Sequence, residues 1–314
     1  LNSNLTLFDQ LKNRHRYLPF YTPQYKSMKM LPLAHSSTSQ LLKHFYILGS
    51  YKSYSLGDNV YDYDAIRYSI ESGARLIHLD VYNTSSDPTD VVLGVGDVNS
   101  LSFRRCIETV NGSAWKQVDY PMILLLNIHS AHYTNGVIDA INYHLKLFGS
   151  RLYSGVDTID AMTYQSVRNK VIILVNDKME QRRPMGCAGT VKMDMTESNR
   201  VGETDTVQSL LYSTGIDAAL RDPTPINPND VYVSNRISYV GYACHQGSNC
   251  AEPLRKFSMM IPENDEVQSD VKTAMLYRVS CIMMNFHRYD TQMALALDMF
   301  KDRSFELKQS ASLK

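Results

Sequence analysis

Short apolar runs and amphipathic stretches alternate along the chain from residue 31, with regular punctuation between them. Met30 to Ala34 is an apolar run of strand length and is expected to form the first strand. Asp62 or Asp64 is placed to cap a helix that carries Ile66 and Ile70 at i and i+4. Gly73 falls just past its end, where a left-handed backbone favours glycine. Residues 74–82, Ala-Arg-Leu-Ile-His-Leu-Asp-Val-Tyr, alternate with a period of two and predict a strand. A short strand over 91–95, a helix over 102–117 and a buried strand over 121–129 follow. Val137, Ile138, Ile141, Leu145 and Phe148 then lie along one side of a helix that Gly149 ends. Residues 170–176 form one more apolar strand. Periodic structure returns at 277–286, in a helix over 292–300 and in a strand-like 305–308.

Strands apolar on both faces and separated by helices predict a parallel sheet covered by helices, hence an α/β fold. The chain's 314 residues favour the closed TIM-type (β/α)8 barrel over a doubly wound sheet. Residues 31–314 read as one domain, with a loop-rich insertion over 180–257 that carries one helix near 206–213. Residues 1–30 form an N-terminal arm rich in Lys, Arg and Tyr, read as an extension along the outside of the domain. Its functional alternative is a contact with a membrane surface or an assembly partner.

Composition narrows the function classes. At 44% hydrophobic and 20% charged the chain can bury a sizeable core, which excludes disorder. With 32 basic and 32 acidic residues it lacks the cationic excess of a dedicated nucleic-acid binder. The longest apolar runs, 120–128 and 171–175, are strand-sized, well short of the roughly 20 residues of a membrane-spanning helix. The first residues lack the charged-then-apolar order of a signal peptide, which leaves localisation open. Five cysteines suit buried thiols better than a disulfide framework; Cys244 and Cys250, with His245 between them, are either a local disulfide or half a metal site.

Candidate chemistry follows from strand parity. Leu76, His78, Asp80 and Tyr82 share one face of their strand and Ile77, Leu79 and Val81 the other. The apolar face must meet helices, so His78 and Asp80 turn inward, toward the barrel mouth where reactive groups gather. By the same parity Asn127 and His129 share a face, and His35 follows the run taken as the first strand. Five polar groups therefore converge on the mouth.

In order and spacing, Pro32-Leu-Ala-His-Ser-Ser-Thr-Ser, Gly73-Ala-Arg-Leu-Ile-His-Leu-Asp-Val-Tyr and Tyr120-Pro-Met-Ile-Leu-Leu-Leu-Asn-Ile-His-Ser resemble the X region of phosphoinositide-specific phospholipase C. Residues 170–178 are similar to the strand closing that region. Ser258–Pro262, Ser280–His287 and Ser304–Lys308 are similar to strands of the family's Y region, with 180–257 partly occupied by the X–Y connection. The resemblance implies a TIM barrel that cleaves phosphodiesters with two histidines and, in eukaryotic forms, a calcium held by carboxylates. It places the first catalytic histidine at His35 and the second at Leu93. Of the calcium ligands it keeps Asp80, with Ser36, His78 and Asn127 at the other positions. Of two lysines that hold inositol phosphates it matches Lys178, with Asn176 at the other, and Met259 and Ile261 stand where an Arg and a Tyr contact substrate.

What the resemblance then implies is a barrel without hydrolase activity, kept as a structural or interaction module, such as a subunit of a large assembly like a virus particle. Protein partners are expected ahead of a small substrate, with no cofactor and a degraded calcium site. The alternative is a phosphoric diester hydrolase with a rebuilt site, in which His78, Asp80 and His129 hold a transition metal.

Overall fold

The computed structural model describes residues 30–57, 59–83, 90–94, 100–129, 135–153, 159–177, 232–234, 257–262, 265–276 and 278–308. The strands are β1 (Phe45–Ser50), β2 (Leu76–Asn83), β3 (Val91–Leu93), β4 (Leu101–Ser102), β5 (Met122–Ile128), β6 (Val171–Asp177), β7 (Tyr232–Ser234), β8 (Met259–Ile261), β9 (Cys281–Met284) and β10 (Phe305–Leu307). The helices are α1 (Tyr63–Glu71), α2 (Phe103–Ser113), α3 (Asn135–Leu145), α4 (Tyr164–Val167), α5 (Val271–Leu276) and α6 (Thr291–Met299). Asp62 caps α1, accepting from the backbone N–H of Asp64 at 2.8 Å, and Gly73 beyond it takes φ +101°. Asp290 caps α6 through the N–H groups of Gln292 and Met293.

Seven strands run parallel in the order β6-β5-β2-β1-β9-β8-β7. Parallel pairing of β1 with β9 brings the early and late parts of the chain side by side, the neighbour relation that a barrel requires. Among the described residues the sheet is not closed, since no pairing joins β6 to β7. Three strands are antiparallel additions. β3 and β4 fold back along the end of β2, and β10 pairs with Phe45–Ile47. Because β2 pairs with β1 only at Gly49 and Ser50, β10 fills the wedge beside the first half of β1.

Alternation within each strand divides the apolar residues into two shells. Ile47, Leu76, Ile123, Leu125, Ile172, Leu174, Met259 and Met283 form the inner one, closed at the strands' N-terminal end by Phe45, Tyr120, Tyr164 and Phe305. Leu48, Ile77, Leu79, Leu124, Leu126 and Ile173 pack outward on Ile66 and Ile70 of α1 and Ile107 and Val110 of α2. The interior is filled: a Cβ at Gly49 would stand 2.9 Å from Cys281 Sγ and 3.0 Å from Met283 Cγ. A glycine there admits the long Met283 side chain.

Two expectations change. The first strand is Phe45–Ser50, not 30–34: Met30 is buried against Gly73, whereas Leu31 is 40% exposed and Pro32 has no N–H to give a ladder. The stretch over 180–257 is also not wholly an insertion, because Tyr232–Ser234 is a sheet strand. The arm, Lys178, the helix near 206–213, Cys244 and Cys250 lie outside the described residues.

Candidate functional site

Asp80 stands on the inner face of β2 near its C-terminal end and is 4% exposed. Its Cα partner across the ladder is Asn127 of β5, so both side chains lie in one layer. Tyr54 donates its phenol O–H to Oδ2 at 3.1 Å, and Asn127 Nδ2 donates to Oδ1 at 2.5 Å. His129 Nε2 lies 2.8 Å from the same Oδ1 and His78 Nε2 3.7 Å from it. Aromatic rings clasp both imidazoles: Tyr51 stacks on His78 at 4.9 Å and Tyr82 on His129 at 4.7 Å.

Burial alone would push the Asp80 carboxyl up. His78, then the hydrogen bonds from His129 and Asn127, outweigh it and hold the carboxyl well below the usual carboxylate range. Burial, with Asp80 behind it, pushes the Tyr54 phenol far above its ordinary value and keeps it a donor. The backbone N–H of Lys52 donates to His78 Nδ1 at 3.2 Å, which assigns the proton of the neutral ring to Nε2, on the Asp80 side. Nδ1 of His78 is thus held by the backbone, and Nε2 faces Asp80 from beyond hydrogen-bond distance. Lys52 Nζ reaches across the rim to Asp265 at 2.9 Å.

Of the residues expected at the mouth, His78, Asp80, Asn127 and His129 come together. His35 does not join them. It is exposed in a 3-10 turn, His35–Ser37, ahead of β1. The chain after it is tied to the segment preceding β6, with Leu42 N–H donating to the Met162 carbonyl and Gln165 N–H to that of Thr38. That is the N-terminal end of the sheet, opposite Asp80. What leaves the C-terminal end of β1 is Tyr51 and Lys52. Leu93, where the resemblance puts the second histidine, is wholly buried in the outer shell, and Met259 in the inner one.

Calcium takes roughly six to eight oxygens. Around Asp80 the described side chains offer one carboxylate, one carboxamide and a phenol, with imidazoles in the remaining directions, so they do not fit that ion. Among the described residues no group of three or more His, Cys, Asp or Glu is placed to hold a metal ion.

Residues 38–177 match the family "Phosphatidylinositol-specific phospholipase C, X domain". This stretch is a phospholipase C X domain. Over 146 residues the chain is 25% identical to human 1-phosphatidylinositol 4,5-bisphosphate phosphodiesterase eta-2, covering 44% of this chain and 10% of that protein. Over 170 residues it is 24% identical to human inactive phospholipase C-like protein 2, covering 52% and 14%. It thus spans about a tenth to a seventh of the length of these curated relatives. Crystal structures of PLC21 from S. officinalis and L. pealei share the fold, with TM-scores of 0.63 and 0.62 at 14% identity; each covers 87% of this chain, which spans 37% and 38% of theirs. The matched stretch holds β1, β2, β5 and β6, and every member of the Asp80 cluster lies on β2 or β5 or just past the end of β1 or β5.

Tyr51, Lys52, Tyr54 and Tyr82 were not foreseen as members of this site. The first three follow from taking Phe-Tyr-Ile-Leu at 45–48 as the strand, since Tyr51 then falls at the mouth. Tyr82 lay on the inward parity already read for β2.

Proposed function

We propose that the chain is a catalytically inactive phospholipase C-type barrel that acts as an interaction module within a larger assembly, for which a virus particle is one setting. The observation that carries this reading is that Asp80 and His129, the acid-base groups of the mouth, are spent on one another. An in-line displacement at phosphorus needs a base on one side and an acid on the other. Here Nδ1 of His78 accepts from the Lys52 N–H, Nε2 of His129 is held by Asp80, and the resemblance puts the second histidine and the Arg contact at the buried Leu93 and Met259. Similarity to both a phosphodiesterase and an inactive phospholipase C-like protein is compatible with loss of activity on a retained fold.

The competing reading is a phosphoric diester hydrolase with a rebuilt metal site. What favours it is that His78 Nε2 and His129 Nε2 both face Asp80 Oδ1. One assay separates the two. The purified chain, incubated with phosphatidylinositol vesicles and with calcium or zinc, is expected to release no inositol phosphate above a protein-free blank. Release that disappears in Asp80→Asn and His129→Ala would overturn the inactive reading. Release only with zinc would establish the rebuilt site.

A further inference from the structure

At the N-terminal end of the sheet, opposite Asp80, three segments bring basic side chains together: Lys43 and His44 before β1, Arg278 before β9 and Lys308 after β10. Lys308 ties them to one another. Its backbone N–H donates to the His44 carbonyl at 2.9 Å, and Nζ donates to the Lys43 carbonyl at 2.6 Å and to Ser280 Oγ at 2.8 Å, two residues past Arg278. Nζ also lies 5.8 Å from the centroid of the Tyr46 ring, whose phenol donates to the Met275 carbonyl, and the Arg278 N–H donates to that same carbonyl. Four basic side chains are thereby gathered at one end of β1.

Their charge is not balanced. Among the described residues neither His44 nor Arg278 forms an ion pair. Burial, then the charges of Lys43 and Lys308, lowers the His44 pKa, and burial, then Arg278, lowers that of Lys308 to about 7. Glu306, the acidic residue of β10, interacts instead with Arg303 and Asp302. Mutual repulsion of this kind is relieved by an anion brought from outside. The cluster has an open side, since Lys43, His44 and Arg278 are only half-buried while Lys308 stands behind them at 9% exposed. Arg278 also holds φ +55°, a left-handed backbone that favours glycine, so an arginine there costs backbone stability although its guanidinium pairs with no carboxylate among the described residues. Leu276, two residues before it, is 59% exposed. So few cations beside one exposed leucine give weak attraction to an anionic membrane, whereas a guanidinium matches a carboxylate two-pronged.

We propose that Lys43, His44 and Arg278 form a docking surface for an acidic segment of a partner protein, with Arg278 gripping one carboxylate and Leu276 packing on an apolar neighbour of it. The proposal rests on the reading of the chain as an interaction module and names the chemistry of its partner. Fluorescence anisotropy of the whole chain with fluorescein-labelled hexaglutamate tests it, with hexaglutamine as the uncharged control and phosphatidylserine vesicles as the lipid alternative. Hexaglutamate is expected to bind at low salt, and the double variant Lys43→Gln with Arg278→Gln to weaken it at least about tenfold. Both replaced side chains are half-buried, so the variant should fold. Arg104→Gln, which removes a cation paired with Glu108 on α2, should change binding by less than about twofold. Hexaglutamate should also shift the His44 ring resonances in NMR spectra and raise the pKa of that ring. The proposal is overturned if hexaglutamate does not bind, if hexaglutamine binds as well, if Arg104→Gln costs as much as the double variant, or if vesicles bind and hexaglutamate does not. Any of these results leaves the inactive reading standing, whereas inositol phosphate release in the vesicle assay would remove that reading without altering the peptide result.

Discussion

Asp80→Asn tests the site most directly, because the substitution preserves shape and removes only charge and one acceptor. In the wild type the carboxylate accepts from Tyr54, Asn127 and His129, with His78 at 3.7 Å. A carboxamide must point its NH2 at one of these donors, leaving a donor facing a donor in a place 4% exposed. Hydrogen bonds to a charged acceptor contribute about 1.5–3 kcal/mol against about 0.5–1.5 for neutral ones. Three such bonds weakened, one of them inverted, place the loss at about 3–5 kcal/mol, the usual cost of breaking a buried pair. Urea unfolding at pH 7, followed by circular dichroism, reads it. The pH dependence carries a second signature. Asp80 has a folded pKa below its unfolded one, so its contribution is whole above about pH 4 and is lost as pH falls toward the folded value. Asparagine does not titrate, so the gap between the two proteins should narrow by about 1 kcal/mol between pH 5 and pH 3. A gap below about 1 kcal/mol at pH 7, or one that does not narrow in acid, would refute the account of Asp80 as the ionised centre of the mouth.

Other predictions address the frame. Gly94→Ala, at φ +88° with a Cβ built 2.3 Å from Tyr61 Cε2, should cost at least about 2 kcal/mol in the same unfolding assay. Lys308, buried with Nζ donating to the Lys43 carbonyl and Ser280 Oγ, has its pKa pushed down to about 7 by burial and by Arg278. Between pH 7 and about 10 the unfolded chain binds the extra proton, so stability should rise with pH in that window by up to about 1.4 kcal/mol per unit, and Lys308→Met should remove that part of the slope. Leu93→His restores a histidine by name only; in the wholly buried outer shell it should destabilise by about 2 kcal/mol or more and yield no inositol phosphate release. Tyr51→Ala should cost about 1 kcal/mol through the lost stack on His78, with the histidine's ring resonances shifting in NMR spectra.

Period-two alternation at 76–82 was enough to turn His78 and Asp80 inward, because the apolar face has to meet α1 and α2. Parity likewise brought Asn127 and His129 to the same layer. The beginning of the sheet was not legible in the same way. Met30 to Ala34 is as apolar as a strand, but Pro32 cannot serve a ladder, and the true β1 is six residues whose pairing partners lie at 76–77, 281–284 and 305–307. No local pattern announces partners so distant. His35 was misplaced for that reason, and with it Tyr51 and Lys52 were overlooked. β3 and β10 show a further limit: their composition predicts strands, whereas their antiparallel direction depends on turns and contacts elsewhere in the chain.

The position of β1 sets the order in which the protein can be finished. Phe45–Ser50 is made well ahead of its neighbours β9 and β10, which begin at residues 281 and 305. At about 5–20 residues per second, more than ten seconds separate the appearance of this strand from that of its partners. Throughout that interval a six-residue strand whose side chains are destined for full burial has one edge bare and its inner face without Met283 or Phe305. Nascent chains should therefore need protection from edge-to-edge association until Cys281–Met284 and Phe305–Leu307 have been made, and refolding should be slow in the manner of folds dominated by distant contacts.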